Sequence, residues 1–147
     1  MRLFLALPVA RSIALVTSLV LTTGAALSAE TITSGEWLVI AQDGVRVSYE
    51  ASFSIDVEGK VAGKAPCNRY FGQNQAGLPD LSLGALGATR MFCDHQADED
   101  SYLKALGAMT RAGIRGETLV LTGPDDSSLE FARDPGSKSL ICDTCGG

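Results

Sequence analysis

The residues of this chain best suited to chemistry are Cys67, Cys93, Cys142 and Cys145. A thiol can cross-link, exchange with another disulfide or hold a soft metal, and its compartment and neighbours decide among these. Cys67 and Cys93 each sit in a compact motif, Pro66-Cys67-Asn68-Arg69-Tyr70 and Ala88-Thr89-Arg90-Met91-Phe92-Cys93. Cys142 and Cys145 form a CxxC pair followed only by Gly146-Gly147. That spacing suits a local disulfide, a redox dithiol or half of a zinc site. A redox dithiol normally opens a helix in a βαβ setting, which this tail does not supply. Zinc would need two further ligands, and His95 is the single histidine of the chain. The pair therefore reads as a disulfide or clasp of the tail, with thiol exchange as the alternative. Four cysteines admit three connectivities.

Residues 1–29 set the compartment. Arg2 and Arg11 carry positive charge, Ile13 to Leu21 is apolar except for Thr17 and Ser18, and Ala25-Ala26-Leu27-Ser28-Ala29 offers small residues for cleavage. This is the pattern of a secretory signal peptide. The apolar run is about half the ~20 residues that a spanning helix needs. No cysteine precedes Cys67, so no lipid-attachment site is expected at the usual place, and a periplasmic or secreted protein without a membrane anchor follows. Without the leader the chain retains 10 basic and 17 acidic residues, a formal net charge of −7. Phosphate contacts require clustered Lys and Arg, so this balance argues against nucleic acid as a partner. The 118 residues from Glu30 suit one domain.

Other chemistry is sparse. His95 beside Asp94 has the composition of half an acid–base pair, but a single histidine at a helix start reads as a surface or capping residue. Asp94, Asp98, Glu99 and Asp100 read as helix N-terminal charges on a solvated face rather than as a cation site. No Gly-x-Ser-x-Gly, phosphate loop or HExxH occurs, so no catalytic residue, metal site or cofactor is assigned.

The elements that must position these groups are mostly strands. Phe53, Ile55 and Val57 alternate with Ser52, Ser54 and Asp56, and Glu58-Gly59 turns the chain into Lys60 to Gly63. Trp37 to Ile40 is a short apolar run ended by Asp43-Gly44. Arg69 to Asn74 and Leu81 to Leu86 are weaker strand candidates on either side of Gly77-Leu78-Pro79-Asp80. Thr118 to Thr122 and Ser128 to Phe131 flank Gly123-Pro124-Asp125-Asp126 as a second hairpin. One helix is expected where Tyr102, Leu103, Leu106 and Met109 form an apolar stripe, with Asp98, Glu99 and Asp100 at its start and Arg111 and Gly113 at its end.

Together these segments resemble the META domain family, whose members include HslJ-like heat-shock proteins. The resemblance is carried by Gly35-Glu36-Trp37, Val61-Ala62-Gly63, Cys67-Asn68-Arg69-Tyr70, Leu83-Gly84-Ala85-Leu86, Thr89-Arg90-Met91-Phe92-Cys93, Tyr102 to Leu106, Gly116 to Leu121 and Leu129-Glu130-Phe131. It implies an α+β fold, a strongly curved, barrel-like antiparallel sheet with one main α-helix packed against it. A domain over 30–135 would then be followed by a tail over 136–147 that holds the CxxC. Pro66 departs from the glycine usual before the Cys-Asn pair.

The resemblance also implies that Cys67 and Cys93 pair in a structural disulfide. Arg69 and Arg90 would then meet as an anion-binding patch, or else make ion pairs and cover the sheet edge. Asn68 and Thr89 belong with them as binding candidates, Asn68 bonding nearby backbone in a turn. The functional expectation is a secreted, non-enzymatic, monomeric protein that binds a partner protein or a small apolar ligand, or protects the cell envelope under stress. The alternative is a periplasmic thiol-disulfide protein acting through Cys142 and Cys145. An inhibitor of a secreted enzyme is a third possibility.

Overall fold

The structure is a computed structural model, and it describes residues 24–133. The first 23 residues and the CxxC tail with Cys142 and Cys145 lie outside the described residues. Helix α1 (Gly24–Thr33) leads into nine strands: β1 (Trp37–Gln42), β2 (Val45–Arg46), β3 (Ser52–Ile55), β4 (Lys60–Lys64), β5 (Arg69–Gln73), β6 (Gly87–Ala88), β7 (Arg111–Arg115), β8 (Thr118–Thr122) and β9 (Ser128–Ala132). Helix α2 (Gln96–Ala108) separates β6 from β7. The strands form one antiparallel sheet in the order β6-β5-β4-β3-β1-β9-β8-β7, with β2 beside β1. This is the α+β architecture expected, with one main helix. The sheet is open, however, since the path ends at β6 and β7 instead of closing as a barrel.

Local chemistry explains the turns. Asp43 and Gly44 both have positive φ, 50° and 74°, as a two-residue hairpin between β1 and β2 requires, and Asp and Gly tolerate it. In the β3–β4 turn, Asp56 Oδ1 accepts the Glu58 and Lys60 N–H groups at 2.9 and 2.8 Å. Val57 was expected to continue the inward row of Phe53 and Ile55. It lies in this turn instead and is 88% exposed, because β3 stops at Ile55.

Two other expectations are corrected. Leu81 to Leu86 is not a strand. Leu81 and Leu83 are buried, but the backbone there forms no ladder: the Leu81 N–H donates to the Thr110 carbonyl at 2.8 Å, beside the isolated bridge of Asp80 with Arg111. Arg111 and Gly113 do not end the helix, because α2 stops at Ala108 and both residues belong to β7, which pairs with β8 along its whole length.

The core lies between one face of the sheet and α2. Trp37, Val39, Phe53, Ile55, Val61, Tyr70, Leu119, Leu121, Leu129 and Phe131 point inward from the strands and meet Tyr102, Leu106 and Met109. Each fully buried side chain of this size contributes about 1.5–3 kcal/mol. Ile32 of α1 is also buried, and its carbonyl accepts the Trp37 indole N–H at 3.0 Å. Where β3 and β4 part, the Ser52 carbonyl accepts the hydroxyls of Tyr70 at 2.6 Å and Tyr102 at 3.0 Å, so two tyrosines from opposite layers satisfy one buried backbone group.

Candidate functional site

Cys67 ends the β4–β5 turn and Cys93 lies just before α2; they form a disulfide with Cα atoms 5.9 Å apart. The expected pairing is present. It ties together two segments separated by 26 residues.

Beneath the disulfide sits a polar knot. Glu99, in the first turns of α2, is 3% exposed. Its Oε2 accepts the Cys67 N–H at 2.9 Å and the Asn68 N–H at 2.7 Å, and its Oε1 accepts Asn68 Nδ2 at 2.7 Å. The expectation of a solvated Glu99 is therefore overturned: the carboxylate is buried because three N–H donors compensate its loss of water.

Asn68 uses the rest of its amide on the other motif. Nδ2 also donates to the Met91 carbonyl at 3.1 Å, while Oδ1 accepts the Met91 N–H at 2.7 Å and the Thr89 hydroxyl at 2.9 Å. Two donors and two acceptor sites are all an amide side chain has, so Asn68 is saturated within the protein. It was expected to bond nearby backbone in its own turn. It instead reaches 23 residues along the chain and holds Met91 as a neighbouring strand would.

Residues 88–93 are consequently fastened at each end and in the middle. Ala88 pairs with Tyr70, the Thr89 N–H donates to the Arg69 carbonyl at 3.0 Å, Met91 is clamped by Asn68, and Cys93 is cross-linked. The side chains this loop presents are not inward. Met91 is 65% and Phe92 95% exposed.

The remaining candidates separate. Arg69 and Arg90 are both exposed and neither makes an ion pair among the described residues, which removes that expectation. Their backbones run close together, since the Thr89 N–H bonds the Arg69 carbonyl, and Arg69 also lines a cleft on the sheet. His95 pairs through Nδ1 with Asp98 at 3.0 Å rather than with Asp94, in the open. Among the described residues no group of three His, Cys, Asp or Glu side chains is placed to hold a metal ion. Sequence reasoning gave Glu99 only the role of a solvated helix N-terminal charge, and gave Met91 and Phe92 none beyond their place in the motif. For the loop, a usable signal was there: two large apolar residues wedged between Arg90 and Cys93 with no polar alternation to place either one inside.

The geometry defines a small, disulfide-tied α+β domain whose two motifs are locked together by one buried Asn–Glu pair. The chain belongs to the META domain family, whose model matches residues 30–136. No curated protein matches it. Solved structures of similar fold include an NMR structure of a protein from Burkholderia xenovorans, 22% identical, with a TM-score of 0.59 over 88% of this chain and 99% of that one. A second NMR structure is 17% identical, with a TM-score of 0.56 over 73% of this chain and 96% of that one. The crystal structure of a DUF4847 family protein from Bacteroides vulgatus is 13% identical, with a TM-score of 0.53 over 71% and 96%. At these identities the likeness is one of fold. Among the described residues no helix is long and apolar enough to cross a membrane. The disulfide is consistent with an extracytoplasmic location.

Proposed function

We propose that this META-domain protein is a secreted or periplasmic, non-enzymatic binding protein that recognises a partner protein through the Met91-Phe92 loop, and that its stress-protective role in the envelope is exercised by that binding. One observation carries the reading: a phenylalanine 95% exposed on a loop fixed at Thr89, Met91 and Cys93. An exposed aromatic on a loose loop loses part of its binding energy to ordering, whereas here that entropy is already spent in folding. Large aromatic anchors of this kind dominate interface energetics when a partner pocket receives them. The neighbouring Arg90, which makes no ion pair among the described residues, adds a charge that favours a partner pocket with an acidic rim.

The test is site-specific photocross-linking in the cell envelope. A benzophenone side chain at position 92 should trap one discrete partner, and the same group at Val57, which is comparably exposed, should trap none. Excess wild-type protein should compete and Phe92→Asp should not. Identical trapping from both positions, or none from position 92, would overturn the reading.

A further inference from the structure

An open cleft of about 1060 Å³ crosses the outer face of the sheet, away from α2. Strand alternation sends Trp37 and Val39 into the core and turns Leu38 and Ile40 outward, where a sheet facing water ordinarily carries polar residues. Leu38 and Ile40 are half-buried on the cleft floor, with Ala132 of β9 opposite Leu38. The ends differ in charge. Lys64 and Arg69 face each other across the β4–β5 ladder at one end, and Glu117 of the β7–β8 turn lies at the other. Arg69 and Arg46, which also lines the cleft, make no ion pair among the described residues, and Lys64 reaches only Glu50, at 3.9 Å with both side chains exposed. Glu36 is engaged, since it accepts the buried Ser52 hydroxyl at 2.6 Å.

We infer that this cleft binds a long-chain fatty acid, its carboxylate toward Lys64 and Arg69 and its tail along Leu38 and Ile40. Four strand steps separate β4 from β8, and at ~4.8 Å each they give ~19 Å, the reach of a long acyl chain. The apolar floor takes the tail by burial, and the cationic end takes the head by charge-assisted hydrogen bonds. Glu117 at the far end repels a second anionic group, which fixes the orientation. The basic end is a local feature, because the whole chain carries a formal charge of −5. Met91 and Phe92 do not line the cleft, so this site is independent of the partner-binding loop.

Titration with tetradecanoate below its micellar range tests the site, read by calorimetry and by the emission of Trp37, the single tryptophan, whose buried ring lies under the guanidinium of the cleft residue Arg133. Saturable one-to-one binding is expected, weakening about tenfold for each two methylenes removed. Tetradecanol and tetradecyltrimethylammonium should bind at least about fivefold more weakly, and Arg69→Glu should cost a similar factor without moving the melting temperature. Phe92→Asp should titrate as wild type. Absence of saturable binding, equal binding of the alcohol, or indifference to Arg69→Glu would each overturn the inference.

Discussion

Glu99 and Asn68 grip each other twice across 31 residues, once through the Asn68 backbone N–H and once through its side-chain amide, each at 2.7 Å. The carboxylate thereby fixes the turn after β4 to the start of α2. It also fixes, through Asn68, the loop that follows β6.

Removing that grip has a calculable cost. Glu99→Ala strands three N–H donors at a buried site, and each unsatisfied buried group costs about 1–3 kcal/mol. Partial rescue by water lowers the total, so a loss of ~3–4 kcal/mol in urea unfolding is expected. Glu99→Gln keeps two acceptor sites on one oxygen and should lose roughly half as much. Equal stability of all three proteins would show that the knot is incidental.

The disulfide should act on the unfolded chain. For a closed loop of 26 residues, loop-closure entropy contributes ~3.5 kcal/mol. Cys67→Ser and Cys93→Ser are each expected to lower the melting temperature, and reductant should shift the wild type by a similar amount while leaving either variant where it was. Melting curves of oxidised and reduced protein check this directly.

Alkaline pH should weaken the fold through Tyr70 and Tyr102. Burial raises the pKa of both well above the ordinary value of 10, with the Tyr70 hydroxyl adding to the effect on Tyr102. Below pH ~10 both phenols are protonated in the folded and unfolded states, so their contribution is complete. Above that, the unfolded chain releases its protons first, and stability is lost as pH rises toward the folded values, by up to about 1.4 kcal/mol per pH unit for each tyrosine. Between pH 9 and 11 the urea midpoint of the wild type should therefore fall more steeply than that of Tyr70→Phe/Tyr102→Phe. At pH 7 the double variant should be less stable by ~2 kcal/mol, because the Ser52 carbonyl loses both donors.

Two glycines should behave in opposite ways. A Cβ on Gly63 would collide with the Ser52 carbonyl and lie 2.7 Å from the Tyr70 hydroxyl, in the middle of the tyrosine junction. Gly63→Ala should cost ~3 kcal/mol or more. A Cβ on Gly113 meets nothing within 4 Å, and Gly113→Ala should fall within about ±0.5 kcal/mol of wild type. Thermal unfolding of the two variants should show a large loss for the first and almost none for the second, and equal melting temperatures would refute the contrast.

The elements legible in the chain were those announced by short-range chemistry. Glu58-Gly59 carries the backbone preference of its turn within two residues and the hairpin it joins is present, while Asp43-Gly44, read only as the end of a strand, also turns β1 into the short β2. β7 was lost because Arg111 and Gly113 satisfy the rules for a helix end as well as those for a strand, although Ala112 and Ile114 do alternate with polar or small neighbours. Leu81 and Leu83 alternate convincingly and are buried, yet burial alone does not supply a pairing partner. The disulfide came from motif likeness, not from periodicity. Glu99 could not be found locally: an acid in the first turns of a helix reads alike in sequence whether it faces water or three amide hydrogens from another part of the chain.

The pairing of the first and last long strands has a consequence for engineering. Leu38 lies opposite Ala132, and Arg133 donates to the Thr31 and Ser34 carbonyls at 2.6 Å while stacking 4.1 Å over Trp37. The two ends of the domain thus leave from one corner, stapled by a single guanidinium. Such a chain is nearly a ring. It is suited to circular permutation, with a linker that joins Arg133 to the start of α1, so that Thr31 and Ile32 are kept, and new ends opened at the exposed Asp43-Gly44 turn.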